Sequence, residues 1–328
     1  MKKKLIRMIS AALCLMMLFS LAACSGGSSS SSGSPASSSS SAAASSSDTS
    51  SQAEAETTPT KDTDEGYVEQ LDGYTATTHW VKDEDTGTKI FGVFYKPDDF
   101  DESSTYPTII LSHGIGVTHT SFDDYISYFM DLGVVCYAYD FPGGSANGKS
   151  RGDLSEMSVL TEQSDLLKVI DDVLTQSFVD TSKLVLLGES QGGAVTALTA
   201  DSVSDKIVGE ILLYPALCIA DNARAEYSSL DEVPDTISVR GLSLGKIYYE
   251  DIWDMDMIAE TTTYTGPVLI LHGTADESVP YEYSEQAAEQ FADATLVTIP
   301  DAGHGFTADE IAEYFPEIQQ FLEGLGVI

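Results

Sequence analysis

The stretch Leu184–Gly193, which reads LVLLGESQGG, carries an apolar run directly into the pattern Gly-x-Ser-x-Gly. The apolar run indicates a buried strand, and the alanine-rich residues that follow indicate a helix. A serine on the sharp turn between them needs glycines two positions away on either side, because a Cβ there would collide with neighbouring backbone. An ordinary glycine-bounded turn would explain the glycines alone, but the strand before it and the helix after it favour a nucleophile at Ser190.

Short branched apolar runs alternate with amphipathic segments on both sides of this motif. The alternation predicts an α/β fold with a mostly parallel central sheet and helices on both faces. The predicted strands are Thr77–Val81, Lys89–Tyr95, Thr108–Ser112, Val134–Tyr139, Leu184–Leu187, Gly209–Tyr214, Val268–Leu271 and Thr295–Ile299. The predicted helices are Phe122–Leu132, Val159–Gln176, Gly192–Ser202, Tyr281–Phe291 and Thr307–Leu325. The interval 218–266 contains no core strand, so we expect a small inserted cap over the carboxyl edge of the sheet, where ligands bind in such folds.

A serine hydroxyl is a weak nucleophile at neutral pH, so it needs a base and an acid that orients the base. After a nucleophile on a strand-to-helix turn of this kind, the acid and then the histidine follow in the chain. His304 lies after the last predicted strand, Thr295–Ile299. Asp276 is the first carboxylate after the next-to-last predicted strand, Val268–Leu271. We therefore predict a catalytic triad of Ser190, Asp276 and His304. Glu277 is the second candidate for the acid, and Asp140 is a weaker third because it precedes the serine.

Two backbone amides are predicted to stabilise the oxyanion that forms when the serine attacks a carbonyl group. The amide of Gln191 lies at the helix N-terminus, directly after the nucleophile. The second donor belongs to the loop after the third predicted strand, where Ser112–Gly116 reads SHGIG, and we assign the amide of Ile115. His113 and His272 are interpreted as structural residues.

With these motifs on both sides of Ser190, the stretch Tyr106–Leu322 resembles the α/β-hydrolases, and more narrowly their bacterial cinnamoyl and feruloyl esterase-like members. The segments that carry the resemblance are Ser112–Gly116, Tyr139–Gly148, Gly188–Gly193, Leu212–Ala216, His272–Tyr281 and Gly303–His304. The resemblance implies a serine hydrolase that cleaves small carboxylic esters through an acyl-enzyme, with a cap that binds the phenolic end of the substrate. Glu189 stands where many feruloyl esterases have histidine, and the cap does not match closely enough to transfer any substrate contact.

Two other functions remain open. A serine peptidase of the prolyl or related aminopeptidase type shares the fold, the triad and a cap. A catalytically silent surface-binding lipoprotein would keep the fold without turnover, although serine, acid and histidine at all three expected loops argue against it. The expected partner is a small-molecule ester, no cofactor or metal is predicted, and the sequence leaves the oligomeric state open.

The first residues have the pattern of an export signal. Lys2, Lys3, Lys4 and Arg7 form a positively charged start, and Leu5–Leu21 form an apolar run that is too short for a good membrane span. The tetrapeptide Leu21–Cys24 (LAAC) resembles the lipobox of bacterial lipoproteins, in which the chain is cut before a cysteine that carries the lipid. We therefore expect a lipoprotein signal peptide over residues 1–23 and lipid on Cys24, with an ordinary secretory signal as the alternative.

The following residues, 24–61, are rich in serine and poor in large apolar side chains, which predicts a flexible tether behind the lipidated cysteine. The hydrolase-like domain is expected over residues 62–328. The expected location is extracytoplasmic, with the protein anchored to the bacterial cell membrane through the lipid alone.

The formal net charge of the chain is −36, which excludes nucleic acid and anionic membrane surfaces as favourable partners. Cys136 and Cys218 both lie in apolar runs, so buried free thiols are the expected state, while a disulfide between them stays open.

Overall fold

Branched apolar segments form the strands of a central sheet, and amphipathic segments form the helices that cover it. The structure is a computed structural model that describes residues 65–82 and 87–328. Within these residues the strands are β1 (Val68–Gln70), β2 (Tyr74–Lys82), β3 (Lys89–Pro97), β4 (Tyr106–Ser112), β5 (Val135–Tyr139), β6 (Val179–Glu189), β7 (Gly209–Leu213), β8 (Thr236–Val239), β9 (Leu242–Gly245), β10 (Val268–Gly273) and β11 (Ala294–Ile299). The α-helices are α1 (Asp123–Asp131), α2 (Val159–Val173), α3 (Ser190–Ala200), α4 (Ile219–Glu226), α5 (Ile247–Glu250), α6 (Met257–Thr261), α7 (Glu282–Gln290) and α8 (Ala308–Gly324).

The main sheet has the strand order β1-β2-β3-β5-β4-β6-β7-β10-β11. The strands from β5 to β11 in that order are parallel, whereas β1, β2 and β3 are antiparallel and join the sheet through β5. The predicted α/β fold with a mostly parallel central sheet is confirmed. The short edge strand β1 was not predicted, since three half-exposed residues leave no apolar run in the sequence.

Two apolar clusters lie on opposite faces of this sheet. Strand β4 supplies both, because Ile110 faces one cluster while Ile109 and Leu111 face the other. Helices α2, α3 and α7 contribute to the first cluster, and α1 and α8 to the second. Cover on both faces explains why the central strands are continuous apolar runs rather than alternating ones.

Residues 218–266 leave the main sheet after β7 and return at β10. They form α4, a hairpin of β8 and β9, and the short helices α5 and α6. The expectation that no core strand lies here holds for the main sheet, but β8 and β9 pair as a separate antiparallel sheet. Three side-chain hydrogen bonds among the described residues attach this cap to the core: from Tyr248 Oη to Gln191 Oε1, from Ser158 Oγ to Asp251 Oδ2 and from Tyr283 Oη to Asp221 Oδ2.

The predicted signal peptide, Cys24 and the whole of the serine-rich tether lie outside the described residues. Among residues 65–82 and 87–328, no helix is both long and apolar enough to span a bilayer. Cys136 and Cys218 are buried free thiols.

Candidate active site

The turn at Ser190 is held by close backbone contacts. Strand β6 ends at Glu189 and α3 begins at Ser190 itself, two residues before the predicted start. Ser190 has a φ of 51°, a left-handed conformation that is uncommon outside glycine. A Cβ at Gly188 would collide with the carbonyl of Gly192, and one at Gly192 would collide with the carbonyl of Ser112. The two glycines therefore let α3 and β4 approach the turn that presents the serine.

Three loops at the carboxyl edge of the sheet bring Ser190, His304 and Asp276 together. The hydroxyl of Ser190 lies 2.9 Å from Nε2 of His304, and Nδ1 of His304 lies 2.7 Å from Oδ2 of Asp276. With Nδ1–H donating to the carboxylate, Nε2 is left to accept the serine proton. Glu277, the neighbouring alternative acid, is exposed.

The carboxylate of Asp276 is buried and surrounded by donors. Its Oδ1 accepts hydrogen bonds from the amides of Ser278 and Val279 at 2.8 and 2.9 Å. Its Oδ2 accepts from His304 and also from Nε2 of His272 at 3.2 Å. Burial alone would raise the pKa of Asp276, but the hydrogen bonds from His272, His304 and Val279 hold that pKa well below its usual range. The carboxylate therefore stays ionised and oriented towards His304.

His272 was interpreted as structural, and the structure adds that it contacts the predicted acid. Its side chain is fully buried, and its Nε2–H is shared between Oδ2 of Asp276 and the carbonyl of Val279, the latter at 3.1 Å. Its Nδ1 lies 2.7 Å from the hydroxyl of Ser284, so both ring nitrogens have a partner and the ring is held in place. The sequence signal was the spacing His-Gly-x-x-Asp at the end of β10, which places the two side chains one tight turn apart.

Asp140, the third candidate acid, is engaged elsewhere. Its Oδ1 accepts from both Nδ1 and the amide of His119, at 2.7 and 2.8 Å, and its Oδ2 accepts from the amide of Lys149 at 2.7 Å. Burial would raise the pKa of Asp140, but the bonds from His119 and Lys149 lower it. This carboxylate therefore holds the loop before α1 onto the end of β5.

His113 holds the neighbouring loop. Its Nδ1 donates to the carbonyl of Gly114 at 2.7 Å, and its Nε2 accepts from the amide of Phe141 at 3.0 Å. Burial lowers the pKa of His113, so the ring is neutral and suited to this pair of bonds.

The amides of Ile115 and Gln191 lie beside Ser190 with their donors unused. The amide of Ile115 donates to no acceptor within residues 65–82 and 87–328, and that of Gln191 lies in the first turn of α3, which has no intrahelical acceptor. Glu189 fixes the Ile115 loop, since its Oε1 accepts from the amide of Gly114 at 3.3 Å while its Oε2 accepts from Tyr214 at 2.9 Å. This role for Glu189 was missed, because it depends on two segments that only the fold brings together.

Two pockets meet at Ser190. The cap pocket, of about 300 Å³, is lined by Ile115, Ser190, Gln191, Ala216, Cys218, Ile219, Asn222, Val239, Arg240, Tyr248, Tyr249, Ser278, Val279 and His304. The loop pocket, of about 260 Å³, is lined by Gly114, Ile115, Val117, Ser121, Asp124, Tyr125, Glu189, Ser190, Tyr214, Arg240, His304, Gly305, Phe306 and Ile311. Both pockets are therefore open to Ser190 and His304. No group of three or more His, Cys, Asp or Glu side chains in the described part of the chain is placed to hold a metal ion.

A serine on a glycine-bounded strand-to-helix turn, a mostly parallel sheet and an inserted cap define the α/β-hydrolase fold. More narrowly, the chain belongs to the prolyl oligopeptidase family, whose sequence model matches residues 120–325. Its fold and family make it an enzyme of the hydrolase class.

Individual relatives include an uncharacterized bacterial protein and a human lipase. The chain is 26% identical to the uncharacterized protein YfhR of Escherichia coli O157:H7 over 220 residues, which cover 66% of this chain and 70% of that one. It is 25% identical to human monoglyceride lipase over 161 residues, which cover 49% and 50% of the two chains. Among solved structures, Est1E from Butyrivibrio proteoclasticus with bound ferulic acid aligns with a TM-score of 0.67 and 26% identity, over 75% of this chain and 99% of that one.

Proposed function

We propose that this protein is a serine carboxylic-ester hydrolase that works through an acyl-enzyme. The observation that carries the proposal is the hydrogen-bonded chain from Ser190 through His304 to the buried carboxylate of Asp276. Such a chain supplies an activated hydroxyl, a base of the correct tautomer and a fixed counter-charge for the imidazolium.

In the first half of the reaction, Oγ of Ser190 bonds to the ester carbonyl carbon while Nε2 of His304 takes the hydroxyl proton. The amides of Ile115 and Gln191 donate to the resulting oxyanion. His304 then returns the proton to the departing alcohol, which leaves the acyl group on Ser190. In the second half, water bonds to the acyl carbonyl carbon while Nε2 of His304 takes its proton, and the same two amides donate to the oxyanion. The bond from that carbon to Oγ of Ser190 then breaks, and His304 returns the proton to Oγ, which releases the carboxylic acid and restores the free enzyme.

The proposed substrates are hydroxycinnamoyl or other small acyl esters. Two observations support this choice: the structure of Est1E, to which the chain is similar, holds ferulic acid, and the cap pocket combines aliphatic side chains with Tyr248 and Tyr249 in about 300 Å³. Such a lining suits a flat phenolic or short acyl group.

A serine peptidase is the second candidate, because the family that matches the chain is named for prolyl oligopeptidase. Purified protein assayed in parallel on aryl esters, hydroxycinnamoyl esters and aminoacyl or prolyl amides separates the two. The ester hydrolase predicts turnover of esters that is lost in Ser190→Ala, with amides cleaved far more slowly. Amide cleavage that equals or exceeds ester cleavage would favour the peptidase instead.

We also propose that Cys24 carries a lipid that holds the protein at the outer face of the bacterial membrane, on the strength of the LAAC tetrapeptide. Cys24→Ala is expected to move the protein from the membrane fraction to a soluble or unprocessed form, without change in kcat of the purified domain. Cell fractionation with mass measurement of the N-terminal peptide checks this. An unlipidated mature form found only in the medium of cells that express the unmodified sequence would contradict it.

A further inference from the structure

One charged side chain stands at the junction of the two pockets. Four residues line both of them, namely Ile115, Ser190, His304 and Arg240. The first three are the proposed oxyanion donor, nucleophile and base, so the fourth lies beside the reacting centre without a role in the chemistry. Arg240 is exposed, and no carboxylate within residues 65–82 and 87–328 lies close enough to form an ion pair with it.

Arg240 has an unfavourable backbone conformation for its residue type. Arg240 and Gly241 form the two-residue turn between β8 and β9, with φ values of 50° and 82°. Turns of this type favour asparagine, aspartate or glycine at both positions, because other side chains are strained there. An arginine at the first position is therefore a poor choice for the turn, and its presence favours a function for the guanidinium.

The two pockets differ in charge. Asp124 and Glu189 line the loop pocket, whereas no aspartate or glutamate lines the cap pocket. The guanidinium of Arg240 also acts within the cap pocket: burial raises the pKa of Tyr248 well above its usual value, and the charge of Arg240 opposes that rise. The chain as a whole has a formal net charge of −36 and repels anions. In the cap pocket, however, an anionic ligand would face the cation of Arg240 and no lining carboxylate.

We infer that Arg240 binds a carboxylate of the substrate in the cap pocket, so that the preferred substrates are esters with a carboxylate close to the scissile bond. The inference rests on the proposed ester hydrolysis and narrows its substrate class. A carboxylate fits better than a phosphate monoester, because a single guanidinium balances one negative charge and matches a carboxylate in a two-point fork.

The test compares two pairs of esters, each with a free or a methylated carboxylate. The first pair, the mono-para-nitrophenyl ester of glutaric acid and its methyl ester, places the charge on the acyl side. The second pair, the butyrate ester of para-hydroxybenzoate and that of its methyl ester, places it on the alcohol side. The measured quantity is the charge preference, the ratio of kcat/KM for the free carboxylate to kcat/KM for the methylated form.

Arg240→Gln and Arg240→Gly are each expected to lower the charge preference by about tenfold in at least one pair. Glycine relieves the positive φ and glutamine keeps it, so an equal fall in both variants assigns the effect to the lost guanidinium. Arg151→Gln, which removes an exposed arginine that lines neither pocket, is the matched control and leaves the preference unchanged. An unchanged preference in both pairs, or a fall in only one of the two variants, would overturn the inference.

A binding measurement separates this inference from the proposed function. Calorimetry with monomethyl glutarate is carried out on Ser190→Ala and on Ser190→Ala with Arg240→Gln. If the unmodified protein hydrolyses none of the four esters, ester hydrolysis fails, and this measurement alone decides the role of Arg240. Binding that weakens about tenfold without the arginine supports the carboxylate site, and equal binding in the two proteins contradicts it.

Discussion

The carboxyl edge of the sheet and the cap above it are built in different ways. At the sheet edge, each proposed catalytic side chain follows directly from a strand of the parallel sheet, and the atoms that must exchange protons lie 2.7 to 2.9 Å apart. The cap consists of short helices and one hairpin, and it reaches the site through a few side chains such as Tyr248 and Arg240. We therefore propose that the edge determines the reaction and that the cap determines which substrate undergoes it.

The largest expected effect lies at the edge. Ser190→Ala is expected to lower kcat for every ester by about 10⁴-fold to 10⁶-fold, because it removes the nucleophile and no core volume. Steady-state kinetics on several esters, with a thermal melt to check the fold, measure this. Ser182→Ala, an exposed serine near the start of β6, is the control and keeps full activity. Activity of Ser190→Ala within tenfold of the unmodified protein would remove the serine from the mechanism.

The acid gives the next effect. Asp276→Asn keeps the shape but can donate to Nδ1 of His304, which favours the wrong tautomer, and the corresponding change in serine proteases lowers kcat by about 10⁴-fold. The adjacent change Glu277→Gln provides a matched control, since that side chain is exposed. Stopped assays of kcat on one ester decide the assignment. If Glu277→Gln lost activity while Asp276→Asn kept it, the acid of the triad would be Glu277, one residue later than assigned.

A smaller effect is expected where the cap touches the edge. The amide side chain of Gln191 is held between Glu162 Oε2 and the hydroxyl of Tyr248, both at 2.7 Å. Tyr248→Phe leaves Gln191 Oε1 buried without a donor, at a cost of about 1–3 kcal/mol, and loosens the residue whose amide meets the oxyanion. We expect kcat to fall by about tenfold. Tyr227→Phe, at a half-buried cap tyrosine that lines neither pocket, is the control. Equal kinetics for Tyr248→Phe and the unmodified protein would show that this contact does not position Gln191.

A buried glutamate in the interior of the sheet, Glu210, is expected to affect the stability of the fold but not the activity. Glu210 on β7 is fully buried with no hydrogen-bond partner among the described residues, and burial raises its pKa to about 8. The folded protein therefore holds this proton more tightly than the unfolded chain, in which the group titrates at its ordinary value near 4.5. The protonated form of Glu210 therefore contributes fully to stability below its pKa in the unfolded chain, near 4.5. That contribution is lost as the pH rises through its pKa in the folded protein, about 8.

Glu210→Gln removes this titration, so its gain in unfolding free energy over the unmodified protein is expected to grow between about pH 5 and about pH 8, by up to about 1.4 kcal/mol per pH unit. Urea melts at the two pH values measure the difference, and Glu289→Gln on the exposed side of α7 serves as the control. A gain that is the same at both pH values would mean that Glu210 is ionised in the folded state.

The same contrast separates what the sequence predicts from what it does not. The main strands and the residues brought together at the edge are local features, since an apolar run followed by a glycine-bounded turn is visible within ten residues. The bridge from Glu189 to Gly114 and the position of Arg240 depend on segments far apart in the chain, which no local pattern joins. The contact from His272 to Asp276 spans only four residues and is carried by the local spacing His-Gly-x-x-Asp. The cap hairpin was missed because its strands are only four residues long and half exposed.

The central claim is that Ser190 is a nucleophile activated by His304 and Asp276. Treatment of the purified protein with a fluorophosphonate probe, followed by mass measurement of the intact chain and of its peptides, tests it directly. The account predicts one adduct per chain, located on Ser190, absent in Ser190→Ala and formed far more slowly in Asp276→Asn. A folded protein that takes up no probe, or an adduct on any other residue, would contradict it.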